Sequence, residues 1–442
     1  MDVSVIGLGK LGLCTAGCFA AAGHTVIGYD LNGHSRDELK ARRSPIDETG
    51  LEDLLEAAWD TFHVVDSCEE ALRNSDATLI IVPTPSRADG RFSNEYVVKA
   101  LESLAPTLAA KASFHLIAVV STVMPGSSDR VFRPLLERLT GKRCGVDFGL
   151  AYNPEFIALG SVIRNFLNPD MVLIGASDER TGNMLTALYR RTCKTQPVMA
   201  VMSLINAEIT KISLNCYVTM KISYANALAA ICEQVPGADV DTITAAIGAD
   251  SRVGGKYLKG GLGFGGPCFP RDNIAFQSFA EEYGAEAVLG KAVVAINNAV
   301  PERLHGLISA HAKPPAKVAL LGMSYKADTQ IIEESQSIML ATVLLASGYQ
   351  VVLHDPKAHA AARQLFGDRV TVGIDLYEAV AGVQVVVLLT DWPEYRAIDW
   401  RMVASVTAPQ TVVLDSWRIA KDGDMSAFTY IPVGIGISPE GM

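Results

Sequence analysis

The sequence predicts an α/β protein made of two Rossmann-like, doubly wound domains joined by a long central helix and a helical middle domain. Three observations support this. The first 200 residues alternate short Val/Ile-rich runs with helical stretches; a second alternation begins near Val318; between them, about Ser203 to Gln234 carries neither Gly nor Pro. Parallel strands covered by helices on both faces read as near-continuous apolar runs, which is what the alternating sections contain. At 442 residues the chain exceeds one ordinary core, and boundaries fall at 1–200, 201–300 and 313–442.

Val3–Ile6, Thr25–Tyr29, Ala77–Val82 and His115–Val120 are the strand candidates of the first section. The central segment then changes character to a long helix, followed by more helical sequence broken by the Gly-rich stretch Gly254–Gly266. Lys313-Pro314-Pro315 punctuates the next boundary. Val318–Leu321, Gln350–His354, Val383–Leu389 and Thr411–Leu414 are the strands of the second section.

Apolar residues make up 49% of the chain and charged ones 19%, which suits a well-buried enzyme. The net charge of −10 and the lack of a Lys/Arg run argue against nucleic acid as a partner. Eight cysteines without a Cys-x-x-Cys pair and eight histidines without ligand spacing predict free thiols and no metal. Cys14 and Cys18 fall on the first helix and are expected as buried packing residues. The chain starts directly on a strand-like run and no stretch is long enough to span a membrane, so the expected location is the cytoplasm, with no membrane partner.

Gly7-Leu8-Gly9-Lys10-Leu11-Gly12 follows a strand and opens a helix, and Asp30 ends the next strand about twenty residues on. Such glycines permit a tight turn and close approach of backbone to pyrophosphate, and the carboxylate binds ribose hydroxyls while repelling a 2′-phosphate. NAD is favoured over NADP; FAD uses a similar fingerprint, and the motif alone leaves it open. The competing reading is a glycine turn with a surface aspartate.

Gly263-Phe264-Gly265-Gly266-Pro267-Cys268-Phe269-Pro270-Arg271-Asp272 is the most informative stretch. Pro270 suits a first helical turn, so Cys268 would lie just before a helix N-terminus, where the dipole and Arg271 favour a thiolate. By composition alone an ordinary buried cysteine competes with that reading. Glu208, Lys211, Asn215 and Asn226 fall near one face of the largely apolar central helix, and such a stripe needs something polar to face. A solvated face or an interhelix network is the alternative. Val82–Pro85, Ser121–Gly126 and Asn153–Phe156 each follow a strand, at the sheet edge where open α/β folds hold ligands.

Together these residues resemble the UDP-glucose/GDP-mannose dehydrogenase family, from the Gly7–Gly12 start through Thr84-Pro85, Ser121–Gly126, Asn153–Phe156, Glu208–Asn226 and Gly263–Asp272 to Gly322–Lys326 and His354-Asp355-Pro356. The resemblance implies a four-electron oxidation of the C6 alcohol of a nucleotide-sugar, UDP-linked with UDP-glucose leading, using two NAD per turnover and serving polysaccharide biosynthesis. Cys268 would attack the aldehyde to form a thiohemiacetal, then a thioester that water releases as the acid. By the same resemblance, Gly7, Gly9, Leu11, Gly12, Asp30, Thr84, Thr122 and Arg271 contact the cofactor. Lys211 and Asn215 would stabilise oxyanion charge, Asp272 would assist as base or water holder, and Thr122 and Glu155 would face them. Phe156, Tyr257, Lys259, Gly265, Lys326 and Arg418 would join Glu155, Lys211 and Asn215 around the substrate. Arg252 would reach the neighbouring subunit's site, which implies a homodimer.

The chain departs from the family pattern at four points. Leu159 replaces a second glutamate, Glu333 stands where many members carry an arginine, Ala227 follows Asn226 in place of an acid, and Asp415-Ser416-Trp417-Arg418 replaces Asp-Gly-Arg. Dehydrogenases of UDP-N-acetylhexosamines or GDP-mannose are the alternatives within the family. Two-electron hydroxyacid dehydrogenases share the first two domains but need no nucleophilic cysteine. A non-catalytic nucleotide-sugar binder is the alternative from another class.

Overall fold

The computed structural model describes residues 1–157 and 160–436. It divides into two compact units, Met1–Ser213 and Leu214–Met442. In the first unit β1 (Asp2–Ile6), β2 (Thr25–Tyr29), β3 (Phe62–Val64), β4 (Ala77–Ile80), β5 (His115–Val119), β6 (Phe148–Tyr152), β7 (Met171–Ala176) and β8 (Val198–Met202) form one sheet, ordered β3-β2-β1-β4-β5-β6-β7-β8. Neighbours run parallel except β6 and β7, which pair antiparallel through Ala151↔Ala176 and Tyr152↔Gly175. The strand order reverses between β1 and β4, the switch point at which doubly wound sheets leave a crevice.

Successive strand residues feed different cores. Val3, Val5, Leu79, Leu116 and Ala118 join one buried cluster, while Ile6, Ile80, Ile117 and Val119 join another. Side chains alternate across a strand, so apolar residues at every position are required once helices cover both faces.

In the second unit β9 (Lys317–Leu321), β10 (Gln350–His354), β11 (Thr371–Val372), β12 (Val385–Leu388), β13 (Val412–Asp415) and β14 (Thr429–Pro432) form a wholly parallel sheet, ordered β11-β10-β9-β12-β13-β14. Val318 and Leu320 enter one cluster and Ala319 and Leu321 the other.

The middle of the chain holds helices Leu204–Cys232, Val240–Ala249, Phe269–Glu282 and Val288–His311. The sequence suggests a helical middle domain over 201–300; at and just past its end, Val300, Leu304 and Ile308 lie in the same buried cluster as Val318 and Leu320. The last of these helices therefore shares the core of the second sheet. The central helix starts in the first unit and continues into the second. At 1.5 Å per residue it is about 43 Å long. No helix among the described residues is long and apolar enough to cross a membrane.

Candidate functional site

At the end of β1 the chain turns at Gly7, with φ +95° and its N–H donating to Tyr29 O at 2.8 Å. A Cβ at Gly7 would stand 2.2 Å from Ile81 O, so only glycine fits. Helix Lys10–Ala21 opens at once, with Gly9 as its N-cap and no side chain capping it. Open space surrounds the Cβ position of Gly9, while Leu11 is half-buried and Gly12 buried beneath the turn. First-turn N–H groups without intrahelical partners suit a pyrophosphate. Asp30 accepts Leu8 N–H on Oδ2 (2.7 Å) and Asn32 N–H on Oδ1 (2.8 Å). Each carboxylate oxygen has room for a further donor, so the half-buried Asp30 can also take ribose hydroxyls. These residues fit a dinucleotide.

The polar loops at the strand ends are bound to one another. Ser121 Oγ accepts Val82 N–H at 2.9 Å and donates to Val82 O at 2.6 Å, and Thr84 Oγ1 donates to Thr122 O at 2.7 Å. Glu208, fully buried near the start of the central helix, accepts Gly126 N–H (2.6 Å) and Ser128 N–H (2.8 Å), fastening the loop that carries Thr122. Burial raises its carboxyl above the usual range against those hydrogen bonds. One turn on, the buried Lys211 donates from Nζ to Glu155 O at 2.6 Å and lies 4.5 Å from the centre of the Phe156 ring. Tyr189 Oη is 2.6 Å from Glu155 Oε1 and 2.8 Å from Asn153 Oδ1. Glu155 is half-buried as a residue, but its carboxyl lies against the buried Tyr189 and Asn153, and burial pushes it up to about 7. Leu159 lies outside the described residues.

In the second unit Cys268 is the N-cap of helix Phe269–Glu282, with Pro270 in its first turn, as the motif suggests. Asp272 N–H donates to Cys268 O at 2.9 Å, and Asn215 Nδ2 donates to Asp272 Oδ2 at 2.5 Å, both side chains buried. Cys268 is the exposed one of the eight cysteines. Burial raises the thiols of the other seven, Cys14 to about 12 and Cys193 to about 11 among them. Arg271 is half-buried in the first turn of the same helix.

The stretch before Cys268 is clamped by two asparagines. Asn226 accepts Gly261 N–H (2.9 Å) and donates to Leu262 O (2.9 Å); Asn297 accepts Phe264 N–H (2.7 Å) and donates to Phe264 O (3.0 Å). The sequence suggests that these glycines admit a ligand. At Gly265 the chain itself also comes close, since a Cβ would stand 2.3 Å from Glu334 O. Glu333 contributes its carbonyl, which accepts Gly266 N–H at 3.0 Å, and its side chain is exposed. Tyr257 is exposed with φ +63°, Lys259 is exposed near the Trp417 ring, and Lys326 is half-buried near Tyr325.

Two arginines have contrasting surroundings. Arg252 is exposed and paired within its own loop to Asp250 at 2.6 Å. Arg418 is buried, and all five of its N–H groups are engaged: Nε and Nη2 on Asp241 (2.9 and 2.7 Å), Nη1 on Ser416 O and Val433 O, Nη2 also on Gly260 O. It braces the Gly260 turn, and its donors are spent on protein.

Three stretches match the UDP-glucose/GDP-mannose dehydrogenase family in order: its NAD binding domain over residues 1–193, its central domain over 205–299 and its UDP binding domain over 319–422.

The chain belongs to that family.

It is 35% identical to the UDP-glucose 6-dehydrogenase of Haloferax volcanii over 95% of this chain and 97% of the relative. It is 32% identical to the GDP-mannose 6-dehydrogenase of Pseudomonas putida, covering 90% and 93%. The solved UDP-glucose dehydrogenase from Pyrobaculum islandicum superimposes with a TM-score of 0.88 at 34% identity, covering 98% of each chain.

Several members of the arrangement were invisible in the linear pattern. Tyr189 and Asn297 lie on helices where a lone Tyr or Asn carries no motif. Glu48 is buried, accepts Gly160 and Val162 N–H groups at 3.3 and 3.2 Å, and pairs with Lys10 of the glycine turn at 3.5 Å. Its signal was a carboxylate in an otherwise loop-like segment, which is indistinguishable from solvated surface. Among the described residues no group of three or more His, Cys, Asp or Glu side chains is placed to hold a metal ion.

Proposed function

We propose that the chain oxidises the C6 alcohol of a nucleotide-sugar to the carboxylate with two NAD per turnover, UDP-glucose being the leading substrate. The observation that carries this is Cys268: exposed at a helix N-terminus, where the dipole favours a thiolate, while burial holds the other seven thiols neutral. NAD, when bound, accepts a hydride in each of the two oxidations. Gly7, Gly9, Leu11, Gly12 and Asp30 hold it, with Thr84, Thr122 and Arg271 as further contacts.

Lys211 and Asn215, one turn apart on the central helix, supply donors for charge that develops on the substrate oxygen. Cys268 attacks the aldehyde carbon and retains it through the second oxidation as a thioester. Asp272, oriented by Asn215, positions water. Glu155 takes the proton of the attacking water, and a carboxyl titrating near neutrality suits that task. With Leu159 in place of a second glutamate, this work falls on Glu155, Thr122, Lys211 and Asp272. Phe156, Tyr257, Lys259, Gly265 and Lys326 are the proposed sugar-nucleotide contacts, and Arg418 acts by bracing the adjoining turn.

A homodimer in the cytoplasm completes the proposal. Tyr217, Tyr224 and Ile231 recur every seven residues on the central helix and are all more than half exposed, an apolar stripe that suits a second copy. Arg252 is the residue proposed to reach the partner's site. Mixing Arg252→Ala with Cys268→Ser subunits should restore activity; verified mixed dimers that stay inactive would contradict a shared site.

The deciding experiment is NADH yield per mole of UDP-glucose, UDP-N-acetylglucosamine, UDP-N-acetylmannosamine and GDP-mannose. Two NADH from one sugar establishes the four-electron reaction and names the substrate. Tight binding of one sugar with no NADH from any would make the chain a binder. Cys268→Ser should abolish the acid while leaving NAD binding intact, and undiminished acid would remove the covalent route.

A further inference from the structure

Behind the Glu155 carboxyl stands one phenol with two acceptors to serve. Tyr189, almost wholly buried on helix Glu179–Thr192, reaches Glu155 Oε1 at 2.6 Å and Asn153 Oδ1 at 2.8 Å. A phenol has a single proton, so it cannot donate to both. The orientation of the Asn153 amide is set independently, because its Nδ2 donates to Leu173 O at 2.9 Å and leaves its oxygen toward the phenol.

Two hydrogen-bond patterns satisfy this geometry. With Glu155 ionised, the phenol donates to the carboxylate, and Asn153 Oδ1 faces the phenol oxygen with no proton between them. With Glu155 protonated, the carboxyl donates to the phenol oxygen, the phenol proton turns to Asn153 Oδ1, and every group is paired. We propose that Tyr189 is a positioning residue which, by exchanging its one proton between Glu155 and Asn153, holds Glu155 able both to take a proton from water and to keep it. This rests on the reading of Glu155 as the proton acceptor in thioester release. There the water oxygen bonds to the acyl carbon, its proton passes to Glu155, and the C–S bond breaks to return the Cys268 thiolate.

Other groups facing Glu155 set the background. Lys211, from the central helix, favours the carboxylate. Cys18, from helix Lys10–Ala21, and Cys193, just past Thr192, are both raised by burial and so remain neutral. Neither thiol competes for the proton near neutrality.

The test is an infrared pH titration of the carboxyl, its band assigned by loss in Glu155→Gln, beside the pH profile of NADH formation. Tyr189→Phe removes the donor to the carboxylate and should raise proton affinity roughly three- to tenfold. Asn153→Ala removes the competing acceptor and should lower it. The acidic limb of the rate profile should move with the carboxyl in each variant, with NAD binding unchanged as the check on folding. Opposite shifts are the expected result, because a loss of packing would move both variants the same way. An unmoved carboxyl in Tyr189→Phe, or shifts of one sign, overturns the proposal. Opposite carboxyl shifts with an unmoved rate profile uphold the exchange and remove Glu155 from the reaction, so the two readings fail separately.

Discussion

The two sheets begin with the same device and put it to different uses. Gly7 and Gly322 both adopt positive φ (+95° and +105°), and each donates its N–H to the end of the neighbouring strand, Tyr29 O at 2.8 Å and His354 O at 2.7 Å. The next N–H, of Leu8 or Met323, donates at 2.7 Å to an aspartate ending that strand, Asp30 or Asp355. From there the units diverge. In the first, a helix opens three residues on, at Lys10, whereas in the second no helix opens until Gln336. Asp30 is half-buried and accepts one N–H on each oxygen. Asp355 is 2% exposed; its Oδ2 takes Met323 N, Ser324 N and Ser324 Oγ, and its Oδ1 takes Lys357 N and Ala358 N. Strand, glycine turn and acid therefore form a clamp for the sheet. The clamp becomes a dinucleotide site only where a helix N-terminus and spare lone pairs face outward.

The comparison is most exposed at its glycines. A Cβ at Gly322 would stand 1.9 Å from Thr390 Oγ1, as one at Gly7 would stand 2.2 Å from Ile81 O. Gly7→Ala and Gly322→Ala should each lose on the order of 3–5 kcal/mol in chemical denaturation. A Gly322→Ala chain as stable as the parent would show that the turn is not shared. Next comes Asp355→Ala, which strands several buried N–H groups and should cost about 3 kcal/mol while leaving NAD affinity intact, as titration would show. A fall in NAD affinity there would erase the division of labour.

Acid should test the first sheet more than the second. His115, wholly buried in β5 with Nε2 2.8 Å from Thr78 Oγ1, is pushed down by burial to about 3. The folded form thus binds the proton less readily than the unfolded chain. Its stability contribution is whole above pH 6.5 and drains away as pH falls toward 3, about 2 kcal/mol being lost by pH 5. Burial also lowers His354 in the second sheet, but Asp355 and Asp375 oppose that shift. His115→Gln should flatten the loss of stability between pH 7 and 5, and an unchanged slope would assign the acid sensitivity elsewhere. The smallest effect on stability is expected from Asp30→Ala, about 1 kcal/mol, since its donors are part-exposed. That variant should nonetheless bind NAD at least about tenfold more weakly and discriminate less against NADP, each affinity measured by titration.

Much of this was legible in the linear pattern because it depends on short-range rules. The eight expected strands lie within two residues of the observed limits, since runs such as Val318–Leu321 must be apolar on both faces. Six strands lie outside those runs: β6 is implied only by the loop that follows it, β7 and β14 were missed, β3 and β11 leave no periodicity to detect in three or two residues, and on the edge strand β8 Val198 and Val201 are exposed. The central helix appeared in full, and its stripe of Glu208, Lys211, Asn215 and Asn226 proved to be four buried anchors for four separate stretches of chain.

The sequence by itself determined the two sheets, the long helix, the glycine turn with its acid, and Cys268 at a helix start, because each follows from local propensity, periodicity or a fixed spacing. Only the tertiary structure decided which polar groups are spent on the protein and which remain for chemistry. Asp355 looks as available in the sequence as Asp30, yet both of its oxygens, like every donor of Arg418, serve the fold. Apart from the Asp241 carboxylate on Arg418 and the Ser324 hydroxyl on Asp355, the partners that consume them are backbone groups brought close by folding, and backbone carbonyls and amides carry no mark in a sequence.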